Sequence, residues 1–224
     1  KKHKADIGLA FDGDADRCFL VDEKGALVNP SALTALIATR ELAKNPGASI
    51  IYNLISSRAV KEVVEESGGT AIRSRVGHSY IKKLMAETNA VFGGEHSGHF
   101  YFRDFWRADS GMLAALHAIA ALGESKKSLS ELLKTFNRYH SSGEINSTVK
   151  DAASAMKKIE EIYGSGDGVE VDHLDGLTVS HADWWFNLRA SNTEPLLRLN
   201  VEASAKSRME SIRDDVLNTI RSKG

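Results

Sequence analysis

Between Ser49 and Glu95 short apolar runs alternate with stretches whose apolar residues recur every third or fourth position. SIIYNLI, TAIRSR and AVFGGE have the length and content of buried strands, while SRAVKEVVEESG and SYIKKLMAETN carry the helical period. Strands separated by helices of this length pair in parallel, because each helix returns the chain across the sheet before the next strand begins. The segment is therefore expected to fold as βαβ units.

Local signals place further elements round it. Asn29–Pro30–Ser31 opens a helix that runs through LTALIATRELA and is stopped by Asn45–Pro46–Gly47. Another begins near Asp109–Ser110, and Ser128 with Glu131 forms the capping box of the next. Upstream, Ile7 to Phe11 reads as a buried strand and Cys18 to Val21 as a second. After the DEKG turn, Ala26 to Val28 is expected to pair back as a hairpin. Downstream, SSGE at Ser141 has the composition of a linker. A strand INSTV and a helix DAASAMKKIEEIYG come next, then the strands VEVDH, LTVSHADWWFNL and LLRLNVEA. A last helix carries a capping box at Ser207 to Glu210. Strands grouped apart from two helices point to a small α+β domain.

The chain has 224 residues, enough for one large or two ordinary domains, and 42% hydrophobic residues can fill their cores. Lys+Arg 29 against Asp+Glu 30 gives a net charge of −1, which offers no footprint for nucleic acid or an anionic membrane. Cys18 has no second cysteine to bond with, which fits a reducing cytoplasm. The longest apolar run, Met112 to Leu122, is interrupted by His117 and falls short of the ~20 residues a membrane span needs. No signal peptide is visible, and a strand so close to Lys1 implies a piece of a longer protein.

FDGDADRC, from Phe11 to Cys18, sets Asp12, Asp14 and Asp16 on alternate positions and follows them with Arg17. With Glu23 in twelfth place the spacing imitates an EF-hand, but Arg17 stands where that loop needs glycine, and strands rather than helices flank it. An aspartyl-nucleophile phosphatase would use a strand ending in Asp-x-Asp, leaving the third aspartate and Arg17 without a task. A solvated acidic turn is the plain alternative, although the ends of buried strands are where sheets carry functional loops. A Mg²⁺ site for phosphoryl transfer employs all four charges: the carboxylates share the cation, and Arg17 grips the phosphate as a fork.

Two other loops suit a sugar phosphate. GGEHSGH, from Gly93 to His99, follows a strand, and its glycines let the backbone come close to a ligand. Glu95 can accept from the two hydroxyls of a vicinal diol, and Ser97 can donate and accept. A His-x-x-His zinc pair with Glu95 would normally ride a helix, which the glycines oppose; a polar surface turn remains the plain alternative. RASNTEP, from Arg189 to Pro195, lies between two strands. Arg189, Ser191, Asn192 and Thr193 supply donors for a dianionic phosphate, whereas a plain hairpin would need no arginine at its mouth.

DGDADR, GEHSGH and RASNTEP in this order, with VGHSYIK between the first two, resemble the α-D-phosphohexomutases, in particular the phosphomannomutase/phosphoglucomutase branch. The resemblance spans the chain and implies the end of a larger four-domain protein. It gives residues 1–28 as the tail of an α/β domain with the metal loop, 29–140 as a complete α/β domain on a mixed or parallel sheet, and 141–224 as a smaller, TATA-binding-protein-like α+β domain. It implies reversible exchange of hexose 6-phosphate and hexose 1-phosphate through a hexose bisphosphate, with a phosphoserine on the upstream domains. No Thr-Ala-Ser-His-Asn-Pro type loop occurs here, so this chain alone is expected to be inactive. Asp12, Asp14 and Asp16 resemble the Mg²⁺ ligands, Arg17 and His78 residues of the reacting centre, Glu95, Ser97 and His99 the sugar contacts, and Arg189, Ser191, Asn192 and Thr193 the clamp on the idle phosphate. GEHSGH rather than GEQSGH favours mannose or glucose over an amino sugar. One departure is Ile55, which stands where many members carry a lysine thought to help move a proton; Arg58 keeps the pattern.

Overall fold

Pro30 takes the first helical position and Asn29 accepts the N–H of Ser31, so α1 (Pro30–Lys44) begins where its capping residues demand. Similar caps open most of the other helices. Ser57 starts α2 (Arg58–Glu66), Ser110 starts α4 (Gly111–Glu124), Ser128 with Glu131 closes a capping box on α5 (Leu129–Leu133), and Asp151 starts α6 (Ala152–Tyr163). Between α2 and α4, α3 (His78–Thr88) follows Gly77 and ends at Asn89, whose left-handed backbone stops the helix. The computed structural model describes residues 1–191 and 194–221, which cluster into two units, Lys1–Arg138 and Tyr139–Gly224.

In the first unit β1 (Ile7–Phe11) pairs antiparallel with β2 (Cys18–Asp22). A separate five-stranded sheet runs in the order β4-β3-β5-β6-β7, formed by β3 (Ser49–Asn53), β4 (Thr70–Ser74), β5 (Phe92–Gly94), β6 (Phe100–Phe102) and β7 (Ala108–Asp109). The pairs β3–β4 and β3–β5 are parallel, as the alternating pattern requires, and β5–β6 and β6–β7 are antiparallel, so the sheet is mixed. Side chains alternate across it. Ile50, Phe92, Phe100 and Phe102 pack with α1, α2, α4 and α5, while Ile51 and Tyr101 pack with Ile81 and Met85 of α3. Three layers result.

The second unit is an antiparallel sheet, β8-β12-β11-β10-β9, built from β8 (His140–Thr148), β9 (Glu170–Asp172), β10 (Leu177–Ser180), β11 (Trp184–Ala190) and β12 (Leu196–Ala203). Leu177, Val179, Phe186, Leu188, Leu197, Leu199 and Val201 share one face and form a core with Ile159 of α6 and Met209, Ile212 and Val216 of α7 (Lys206–Arg221). No helix among the described residues is long and apolar enough to cross a membrane.

Several expectations fail for identifiable reasons. SSGE is not a linker: Ser141 to Glu144 belong to β8, where the Ser142 hydroxyl accepts the Val201 N–H beside a shift of register. LTVSHADWWFNL is two strands, with the His181 N–H donating to the Trp184 carbonyl at 2.8 Å across the turn. β1 is a strand but not a buried one; with β2 alone to pair against, it leaves Leu9 and Phe11 exposed. Ala26 to Val28 makes only a bridge, Val21 to Leu27, rather than a strand. Ser207 cannot cap α7, because Lys206 is already helical.

Candidate functional site

The aspartate loop is shaped by its own charges and by two anchors. Arg17 donates from its backbone N–H to Asp12 Oδ1 at 3.2 Å and from Nε to Asp12 Oδ2 at 2.6 Å, folding the loop back on itself. Ala15 takes a left-handed conformation (φ 59°) at the tip. One anchor is the loop from Gly93 to His99: Cys18 N–H donates to the Gly98 carbonyl at 3.0 Å, and Arg17 bridges to His99 in antiparallel fashion. The other is the start of α4, where Gly111 N–H donates to the Ala15 carbonyl at 3.1 Å. A β-carbon at Gly111 would lie 2.4 Å from the Arg17 carbonyl oxygen, so only glycine permits this approach.

Carboxylate oxygens of Asp12, Asp14 and Asp16 come within 4.8 Å of one another. Burial pushes Asp12 up, but its bonds to Arg17 outweigh that and hold it below the usual carboxylate range. Asp16 moves the other way: burial raises it beyond what His99 offsets, and Asp12 and Asp14 add repulsion. Asp16 Oδ1 is buried and has no hydrogen-bond donor; its nearest cation is Arg17 Nε at 3.8 Å. A hard divalent cation relieves this arrangement, since it supplies what the orphan oxygen lacks and neutralises the neighbours. The residues fit Mg²⁺. Glu23 is used elsewhere: it accepts from Ser130 N–H at 3.1 Å and Oγ at 2.5 Å, capping α5, and those bonds pull it down to about 2.

The loop from Gly93 to His99 is built inward. Gly94 is required by packing rather than by a ligand, because a β-carbon there would meet Thr34 of α1 at 2.5 Å. Glu95 is only 2% exposed; its Oε2 accepts from Tyr101 OH at 2.8 Å, and Oε1 from Gly77 N–H at 3.1 Å and from Asn53 Nδ2 at 3.5 Å. Glu95 thus fastens the start of α3 to the loop, and His78, the exposed first residue of α3, is placed by that bond. Ser97 Oγ lies 3.0 Å from His99 Nδ1, and His99 Nε2 lies 3.7 Å from Asp16 Oδ2. Asp12, Asp14, Asp16, Arg17, Glu95, Ser97 and His99 therefore form one connected group. Ile55, in the turn after β3, is buried and presents nothing to it.

In the second unit Arg189 sits on β11 directly opposite Arg198 of β12. Two cations side by side repel, and Glu144 of β8 lies between them, 3.6 Å from Arg189 Nη2 and accepting from Arg198 Nη1 at 3.2 Å. Arg198 Nη2 also donates to Ser191 Oγ at 3.5 Å. Asn192 and Thr193 lie outside the described residues. Arg198 and Tyr101 were not singled out in the sequence; Lys82 closes the VGHSYIK stretch and Asp109 stands at a helix start, but neither was assigned to the site. Strand register alone pairs Arg198 with Arg189.

These features define a two-unit α/β protein with an acidic loop stitched to the glycine-rich Gly93–His99 loop and a separate arginine-lined strand pair. Residues 29–139 match the family described as phosphoglucomutase/phosphomannomutase, alpha/beta/alpha domain III, and residues 144–219 match its C-terminal domain. The chain belongs to the phosphoglucomutase/phosphomannomutase family. It is 46% identical over 220 residues to a phosphomannomutase of Methanocaldococcus jannaschii and 43% identical over 220 to one of Escherichia coli K12, in each case covering 98% of this chain and 48% of the relative. A solved phosphoglucomutase/phosphomannomutase family protein of Burkholderia thailandensis superposes with a TM-score of 0.84 at 32% identity, covering 98% of this chain and 48% of that one. The chain thus spans about half the length of the relatives it matches.

Proposed function

We propose that this chain is the metal-, sugar- and phosphate-binding half of a phosphohexomutase that interconverts hexose 6-phosphate and hexose 1-phosphate of mannose, glucose or both. The convergence of Asp12, Asp14 and Asp16 round an orphan carboxylate oxygen, on a loop stitched to the Gly93–His99 segment, carries the reading. Relatives named phosphomannomutase support it. When bound, Mg²⁺ supplies neutralisation of the charge that spreads over the moving phosphoryl group.

The chain's own residues do the rest. Asp12 holds Arg17 through Nε, which leaves the terminal guanidinium nitrogens for a phosphate oxygen. Ser97 and His99 meet sugar hydroxyls directly, and Glu95 accepts from one on the Oε2 lone pair that Tyr101 leaves unused, Oε1 being taken by Gly77 and Asn53. His78 handles the proton at the reacting hydroxyl; Ile55 cannot. Arg189, Ser191, Asn192 and Thr193, with Arg198 added by the strand register, clamp the phosphate that is not reacting, and Glu144 keeps the two arginines together until it arrives. The transferring phosphate comes from a serine on upstream domains, giving a bisphosphate that turns end for end.

Asp14→Asn tests this reading in the protein assembled with those domains. Mg²⁺-dependent conversion of hexose 6-phosphate should be lost with the melting temperature unchanged, since Asp14 is exposed; retained activity would remove the metal site. A second reading, a sugar-phosphate-binding module without turnover, is favoured by the lack of a Thr-Ala-Ser-His-Asn-Pro type loop in these 224 residues. The same assay on the chain alone separates the two: turnover there would overturn the upstream serine.

A further inference from the structure

Asp16 belongs to two possible cation sets. One is Asp12, Asp14 and Asp16; the other is Asp16, His99 and Asp109, whose ligand atoms also lie within 4.8 Å of one another. In the second set His99 Nε2 stands 3.7 Å from Asp16 Oδ2 and 4.0 Å from Asp109 Oδ2. Donors round a tetrahedral zinc are roughly 3.4 Å apart, so these two pairs already lie within about half an ångström of that spacing, and the third pair, Asp16 with Asp109, lies within 4.8 Å. The two sets differ in kind: three carboxylates suit Mg²⁺, whereas an imidazole with carboxylates suits Zn²⁺ and its neighbours, which bind more tightly at most sites. A protein that uses the first set has to keep the second from closing.

Lys82 does this by its position. It lies one turn after His78 on α3, and its Nζ meets Asp109 Oδ1 at 2.9 Å while standing 5.7 Å above the Tyr101 ring. The Asp109 side chain is only 11% exposed, and Lys82 occupies its Oδ1 from α3 while its Oδ2 faces His99. His99 is held from the opposite side, with Nδ1 3.0 Å from Ser97 Oγ. Resting on the metal reading above, we propose that Lys82 is a specificity-determining residue of the metal site. Its ion pair with Asp109 keeps His99 and Asp109 from joining Asp16 round a softer metal, and so reserves Asp16 for the all-carboxylate set.

The 224-residue chain and its variants are titrated with Zn²⁺ against a chromophoric chelator, and with Mg²⁺ by displacement of Mn²⁺. Removing a positive charge tightens both ions through simple attraction, so the ratio of the two affinities is the readout. Lys82→Met should shift that ratio toward Zn²⁺ by about tenfold or more. Lys82→Arg, which keeps the ion pair, should leave it at the wild-type value, and adding His99→Gln to Lys82→Met should return it there. An unchanged ratio in Lys82→Met, or a shift that survives loss of His99, overturns the guard role while leaving the aspartate loop intact, provided Asp14→Asn abolishes Mg²⁺ uptake. A wild-type chain that takes up no Mg²⁺ overturns the loop reading and this inference with it.

Discussion

Replacing Gly111 by alanine should loosen the aspartate loop, the proposed metal site, without unfolding the unit that carries it. The new β-carbon would stand 2.4 Å from the carbonyl oxygen of Arg17, 2.6 Å from its carbonyl carbon and 2.9 Å from the carbonyl oxygen of Ala15. All three are backbone atoms of the aspartate loop, so no rotamer change relieves the overlap. Restoring an ordinary contact needs a displacement of about 1 Å, and the short loop gives way more easily than a helix packed against α1. A shift of that size at a metal site costs on the order of 10- to 100-fold in affinity. Stability changes little: alanine gains at most about 1 kcal/mol in helix propensity, against an overpacking penalty of roughly 1–3 kcal/mol. Mn²⁺ titration followed by electron paramagnetic resonance, beside a thermal melt, measures both quantities. Gly123, in the same helix with nothing within 4 Å of its added β-carbon, is the control, and Gly123→Ala should leave metal binding unchanged and raise the melting temperature slightly. Wild-type Mn²⁺ affinity in Gly111→Ala would refute the idea that α4 holds the loop in its binding geometry.

Three further outcomes are expected. Arg189→Ala in the assembled enzyme should raise KM for hexose phosphate by roughly 30-fold or more with kcat little altered; an unchanged KM would return RASNTEP to a plain turn. His117, 3.5 Å from Glu41 and stacked on Phe102, is pushed below its ordinary pKa by burial, which Glu41 only partly offsets. The unfolded chain then binds protons that the folded one refuses, so stability present above about pH 6.5 drains away as the pH falls. His117→Gln should flatten that slope, and superimposable melting-versus-pH curves would exclude the effect. Burial also pushes the Cys18 thiol up to about 11, so labelling with a thiol reagent at pH 8 should wait for unfolding; fast labelling of the native protein would contradict its placement.

What could be read in advance was what depends on neighbours in sequence. Asn29–Pro30, Asp109–Ser110 and Ser128 with Glu131 announced helices, because a cap bonds to backbone within three residues of itself, and the local period of SRAVKEVVEESG announced α2. The parallel core β4-β3-β5 was legible for the same reason, its period being local. The missed pieces depend on distant partners. Ser141 to Glu144 looks like a linker until β12 lies beside it, and the three residues of β6 are a strand only because β5 and β7 flank them. The capping box at Ser207 misled because its spacing recurs freely among the polar residues of a helix's first turn. In the candidate site the motif residues were visible, yet what holds them was not. Tyr101 reaches Glu95 because alternate residues of β6 face opposite layers, and Lys82 reaches Asp109 only across the packing of α3 beneath the sheet.

The stitch between Cys18 and Gly98 has a consequence for anyone redesigning the proposed sugar-binding loop. Segments 12–18 and 93–99 are far apart along the chain but share a seam, with a backbone bond at Cys18 and paired residues at Arg17 and His99. A graft that swapped only segment 93–99 for that of a relative would drag segment 12–18 along with it. The transplantable module is the seam with both its edges, and mutational libraries ought to vary the two edges jointly.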